Sequence, residues 1–221
     1  LSVQGKPPTD YHLIHGLDAA SSTPDGRGIT SEGTDYPVDE YTLGKLLRTA
    51  TEPSLSPPRT EIAGLGASAT ASVPSTPTPR IATQYMERHW ETFLTYHDLQ
   101  TLQEHGVTHL RIPMGYWIRD TPQLSILDVD VEPYIPGGWP YFVRACRWAR
   151  SLGLTVWADL HGAPGSENGF DNSGHYLGHS SCDGWSKSPK NVQRTLDILT
   201  DLCVGIVDDQ ISDVVTGFGI L

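Results

Sequence analysis

At 221 residues the chain is long enough to bury a core without a disulfide or metal to staple it, and 26 acidic against 15 basic residues leave a formal charge of −11. That charge repels phosphate backbones and anionic lipid surfaces, so it argues against a nucleic acid partner and for a neutral or cationic one. No run of about 18 apolar residues is present to cross a membrane, and the first thirty residues lack the basic and then apolar pattern of a secretory leader.

The start on Leu1 fits a fragment or a processed chain as well as a cytosolic protein. Cys146, Cys182 and Cys203 form no CxxC and no even framework, so at most one pair could form. Asn168, Asn172 and Asn191 each lack Ser or Thr two positions on, which removes N-glycosylation as a sign of secretion.

Composition divides the chain. Residues 1–83 read as a mostly irregular N-terminal region, with only scattered apolar positions such as Leu13, Ile14 and Leu17 among its first 35 residues. Thr51 to Arg80 holds six prolines among Ser, Thr, Ala and Gly, too little apolar mass to offset the entropy of ordering, and reads as disordered. A Ser/Thr/Pro linker carrying O-glycans is the functional alternative. All six tryptophans lie between Trp90 and Trp185, which places the core in residues 84–221.

From Gln84 the pattern becomes periodic. QYMERHWETFL puts Met86, Trp90, Phe93 and Leu94 on one helical face, and Thr95 with Asp98 resembles a capping box that restarts a helix through YHDLQTLQEH until Gly106. VTHLRIPMGYW then reads as a buried strand closed by Pro113 and Gly115. Pro140 and Gly153 bracket a helix with Phe142, Cys146, Ala149 and Leu152 inward and Arg144, Arg147 and Arg150 on its other side. LTVWADLH is a second strand. Ser188-Pro189 opens a helix with Val192, Leu196, Leu199 and Cys203 facing in, and DVVTGFGIL is a third strand. This alternation predicts an α/β fold of parallel βαβ units, either doubly wound or part of a (β/α)8 barrel, of which three strands would be less than half.

In both architectures ligands bind beyond the carboxyl ends of the strands, which singles out Arg111 in LRIPMGYW and His161 in WADLHG. Arg111 in mid-strand needs a carboxylate partner, either structural or one to be oriented and kept ionised. The loop GAPGSENGFDNSG adds Glu167, Asn168, Phe170, Asp171 and Asn172: acceptors, amide donors and one aromatic face, the mixture that a hydroxyl-rich sugar requires. A plain turn-rich loop has the same composition. His175, His179 and Cys182 have ligand types that suit zinc, but Gly178 and Ser180 argue against the helix that would anchor their spacing. GxGxxG, Walker and HExxH motifs are absent, so nucleotide binding is not expected.

HWETFLTYHDLQTLQEHGVTHLRIPMGYW and VWADLHGAPGSENGFDNSG resemble the fungal and oomycete exo-β-1,3-glucanases of glycoside hydrolase family 5, which are retaining (β/α)8 enzymes. PVDEYTLGKLL (Pro37 to Leu47) resembles the segment before that family's first barrel helices, and DVVTGFGIL its fourth strand, with Thr51 to Thr83 foreign to the pattern. The resemblance implies an incomplete barrel containing about strands 2–4, with Arg111 and His161 around the −1 sugar and Phe170, Asp171 and Asn172 shaping the glucose pocket.

It also implies a β-1,3-glucan or gluco-oligosaccharide partner, no cofactor, a monomer, no membrane association, and an extracellular or cell-wall location. The family's first-strand motif is not found. Its acid/base Glu would follow Leu221, and its nucleophile Glu lies further downstream, so the 221 residues alone are expected to be inactive. A non-catalytic carbohydrate-binding relative is the alternative.

Overall fold

The computed structural model describes residues 27–29, 35–37, 39–49, 79–119, 132–177 and 185–220. In chain order these form β1 (Arg27–Ile29), β2 (Asp35–Pro37), α1 (Glu40–Thr49), α2 (Pro79–Phe93), α3 (Tyr96–Glu104), β3 (His109–Gly115), α4 (Trp139–Ser151), β4 (Thr155–Gly162), a 3₁₀ turn (Asp171–Ser173), α5 (Pro189–Asp208) and β5 (Val215–Ile220). β1 and β2 pair antiparallel, while β3, β4 and β5 form a parallel sheet in that order among the described residues. The fold is therefore α/β with a parallel sheet, as the alternation predicts.

Local signals place several boundaries. Thr95 caps α3 with its hydroxyl on the Asp98 amide, and the Asp98 carboxylate accepts from the Thr95 amide, a complete capping box. Ser188 caps α5 in the same way through Asn191, with Pro189 in the first turn. α2 begins at Pro79, five residues before the periodic pattern suggests, and α1 lies within the stretch that composition reads as irregular. Leu43 and Leu47 of α1 pack with Ala82 and Met86 of α2 and with Ile135. The Pro-rich stretch up to residue 78 lies outside the described residues.

The main core is one face of the sheet closed by helices. Leu110 and Met114 of β3 and Val156, Ala158 and Leu160 of β4 meet Phe142, Val143, Cys146 and Ala149 of α4 and Ile198, Leu202 and Ile206 of α5. Burial pushes the Cys146 thiol up to about 12, leaving it a packing residue, and Cys203 is also free but exposed.

Two expected faces need correction. α5 buries Thr195, Ile198, Leu202, Gly205 and Ile206, whereas Leu196 and Cys203, expected inward, are exposed. The helix carries apolar residues around more than half its circumference, and the stripe with Gly205 wins because Arg119 and Trp139 press against that glycine. Phe93, assigned to the inner face of its helix, is also exposed, while Met86 is buried.

Candidate functional site

The opposite face of the sheet carries His109, Arg111 and Pro113 from β3, Trp157, Asp159 and His161 from β4, and Gly217 and Gly219 from β5, because side chains alternate along each strand. The register aligns Pro113, Asp159 and Gly219 across the three strands near their carboxyl ends.

From the preceding row, where it pairs with Trp157, Arg111 reaches forward so that its Nη2 lies 2.7 Å from Asp159 Oδ2 and 3.2 Å from His161 Nδ1, and His161 Nδ1 lies 3.3 Å from Asp159 Oδ2. The Asp159 side chain is 6% exposed against 53% for Arg111 and 36% for His161, so a buried carboxylate holds two accessible nitrogen groups. Its contact with Arg111 is an ion pair without the alignment of a directed hydrogen bond.

The strand itself re-aims His161. Met114 pairs with Leu160 and Gly115 with Gly162, so His161 is an extra residue in β4. Such a bulge turns a side chain at the end of a ladder and is common beside active sites.

The loop after β4 is closed from inside. Ser166 sits at φ 65°, a left-handed conformation unusual for serine, and its hydroxyl donates to His175 O at 2.9 Å, accepts from Gly169 N at 3.1 Å and meets Ser173 Oγ at 2.5 Å. Leu177 N donates to Gly169 O at 2.9 Å, fastening the loop at its base. On the outside, Asn168 Nδ2 donates to Asn172 Oδ1 at 3.2 Å, Phe170 N donates to Asn168 Oδ1 at 2.9 Å, and Asn172 N donates to Asp171 Oδ1 at 2.9 Å. Phe170, Asp171 and Asn172 are all exposed.

Arg111, in the middle of β3, and His161, near the end of β4, are thus brought into contact. Asp171 and Asn172 form a separate cluster, bonded to loop neighbours. Glu167 is partly buried in the same loop. Of the alternative zinc set, His175 stacks on Tyr41 with ring centroids 3.6 Å apart, while His179 and Cys182 lie outside the described residues.

Two carboxylates complete the site unannounced by motif. Asp159 could have been suspected, since it lies two residues before His161 on the same strand face. Asp39, also buried, caps α1 by accepting from Thr42 N at 2.7 Å and reaches the loop by accepting from Tyr176 N at 2.6 Å. Its D-x-x-T spacing is that of a helix cap. Tyr41 N donates to Gly174 O at 3.1 Å, so the first turn of α1 seats the loop that bears Phe170 to Asn172.

Gly219 exists for Asp159. A Cβ there would overlap Asp159 Oδ1. Gly219→Ala is expected to cost about 1–3 kcal/mol of stability through overpacking, measured by urea denaturation; a loss below about 0.5 kcal/mol would mean that the carboxylate moves freely.

An α/β chain with a parallel sheet and a polar Arg–Asp–His cluster toward its strand ends is the class these features define. The chain resembles glucan 1,3-β-glucosidases. It is 47% identical over 90 residues to the probable glucan 1,3-β-glucosidase A of Aspergillus niger, covering 41% of this chain and 20% of that protein. It is 39% identical over 142 residues to the glucan 1,3-β-glucosidase of Schwanniomyces occidentalis, covering 63% of this chain and 30% of the relative. With glucan 1,3-β-glucosidase 1 of Schizosaccharomyces pombe the figures are 40% over 136 residues, 62% and 30%.

The chain therefore spans less than a third of the length of these curated relatives. No protein-family model matches it. The crystal structure of AoRut shares the fold at a TM-score of 0.50 and 19% identity, over 61% of this chain and 35% of that one. Among the described residues no helix is long and apolar enough to cross a membrane.

Proposed function

We propose that this chain forms one wall of the sugar site of a retaining, exo-acting β-1,3-glucan hydrolase of glycoside hydrolase family 5, working outside the cell or in the cell wall. The observation that carries the reading is the Arg111–Asp159–His161 cluster toward the carboxyl ends of β3 and β4, in a chain resembling glucan 1,3-β-glucosidases. A (β/α)8 barrel accounts for the sheet's uncovered face. Parallel sheets are normally buried on both sides, yet Arg111, Pro113 and Trp157 are exposed here, and a barrel interior would enclose them.

In this reading Arg111 and His161 contact the sugar at the cleavage point, and Asp171, Asn172 and Phe170 meet hydroxyls and a ring face at the pocket entrance. Retaining hydrolysis also needs two carboxyl groups about 5–5.5 Å apart, one as acid and one as nucleophile. Asp159 is poorly placed for either role, because it is buried and committed to Arg111. Glu167 belongs to the loop. The chain is therefore expected to bind without cleaving.

Calorimetric titration with laminari-oligosaccharides should show affinity in the millimolar range, about −4 kcal/mol, with no glucose released from laminarin. Failure to bind any β-1,3-linked oligosaccharide would remove the wall assignment. Sustained glucose release would show that the carboxyl pair is present after all.

A further inference from the structure

We infer that Arg111 fixes His161 as its Nε2–H tautomer, so that the ring meets its ligand as a hydrogen-bond donor, and that Asp159 is the positioning residue that holds Arg111 there. The ligand class in this inference rests on the sugar-site reading; the tautomer does not.

His161 Nδ1 has two neighbours that make opposite demands. A guanidinium has no acceptor, so Arg111 Nη2 at 3.2 Å requires a bare Nδ1 lone pair. An ionised carboxylate has no donor, so Asp159 Oδ2 at 3.3 Å would require Nδ1–H. One nitrogen cannot satisfy both.

The geometry decides for arginine. The Nη2 to Nδ1 approach has hydrogen-bond geometry, whereas Oδ2 accepts no directed hydrogen bond from the ring. Asp159 acts instead by charge, 2.7 Å from the same Nη2, and Gly219 leaves room for its other oxygen. The β4 bulge brings the ring to this position. A single guanidinium nitrogen thus bridges a buried anion and the imidazole, and the ring's remaining hydrogen is on Nε2.

This arrangement selects among sugars. A neutral hydroxyl can turn a lone pair toward Nε2–H. An ammonium group placed at the same point cannot, since it carries donors and no lone pair. Neutral gluco-oligosaccharides are favoured over amino sugars at this point.

Long-range ¹H–¹⁵N correlation on the ¹⁵N-labelled 221-residue chain tests the assignment without sugar, at about pH 8.5, well above the unperturbed imidazole range. His161 is identified among the nine histidines by its absence in His161→Gln. The expected spectrum has a pyridine-type Nδ1 and a pyrrole-type Nε2. The reverse pattern, or an averaged one, overturns the inference.

In Arg111→Met, which changes an exposed side chain, His161 is expected to shift toward Nδ1–H with Asp159 as its acceptor. An unchanged spectrum would remove the role of arginine. Asp159→Asn should yield an averaged spectrum, and retention of the single tautomer would remove its positioning role. Amide dispersion reports whether each variant is folded. A chain that binds no glucan leaves these readouts standing, and a wrong tautomer leaves the glucan reading standing.

Discussion

Trp117→Ala is expected to destabilise the chain by about 3–5 kcal/mol, the range for removing a large aromatic side chain from a packed interior. Trp117 is buried, stacks on Tyr134 with centroids 3.8 Å apart at an interplanar angle of 6°, and meets Tyr116 edge-on at 5.1 Å. Three glycines from different segments lie against its ring. A Cβ at Gly162 would come within 2.8 Å of Cη2, and one at Gly115 or Gly174 would overlap the indole.

The indole therefore plugs the junction of the β3 end, the β4 end and the site loop. It also hydrogen-bonds Glu40 of α1. On the sides formed by Gly115, Gly162 and Gly174 there is no side chain to fill the space. The urea midpoint should fall with little change in slope. A loss under about 1 kcal/mol would mean that the loop collapses into the cavity and that Trp117 does not brace the site. Because Gly162 follows His161 directly, sugar binding should weaken along with stability.

What could be read from the sequence was mostly local. Thr95 with Asp98 and Ser188 with Pro189 mark helix starts because each cap is made by residues three apart in the chain. His161 was legible as a strand-end polar residue, since a parallel sheet presents its ligand side there, and Arg111 as a mid-strand arginine that needs a carboxylate. The α5 face was not legible. Leu196 and Cys203 make as good an apolar stripe as Ile198 and Leu202, and only packing of Gly205 against Arg119 and Trp139 separates the two.

Asp159 was missed for a related reason. Inside VWADLHG it interrupts an apolar run by one residue, and its partner Arg111 lies far away in sequence. The seating of the loop on α1 joins Asp39 to Tyr176 across 137 positions, which no periodicity reveals. The site is thus organised by two buried carboxylates whose partners are distant, while its exposed members sit in a recognisable loop.

Glu40 supplies the other large effect, a loss of stability on raising the pH from about 4.5 to 7. Its carboxyl is enclosed although the residue as a whole keeps some exposure, and burial is the main cause that pushes it from 4.5 up to about 7. The Trp117 hydrogen bond opposes that rise and the charge of Asp39 adds to it.

A group whose pKa is raised by folding holds its proton more tightly in the native state. Its contribution is complete below 4.5 and is lost as the pH climbs through 7, by about 3 kcal/mol from a shift of that size. His175, stacked on Tyr41 nearby, works in the opposite sense. Burial lowers its pKa from 6.5, so its neutral form favours the native state above that value and stability falls as the pH drops through the window.

Glu40→Gln separates the two, since it keeps the shape and removes the ionisation. Urea denaturation at about pH 5 and 8 should show the wild type losing stability toward pH 8, while Glu40→Gln loses little or gains through His175. Parallel curves for both proteins would mean that Glu40 ionises freely in the folded chain. If the curves diverge as expected, the first turn of α1 is a carboxyl-dependent seat for the loop. Oligosaccharide affinity should then decline above pH 7 in the wild type more than in Glu40→Gln, because the same turn holds Gly174 and Tyr176 through Tyr41 and Asp39.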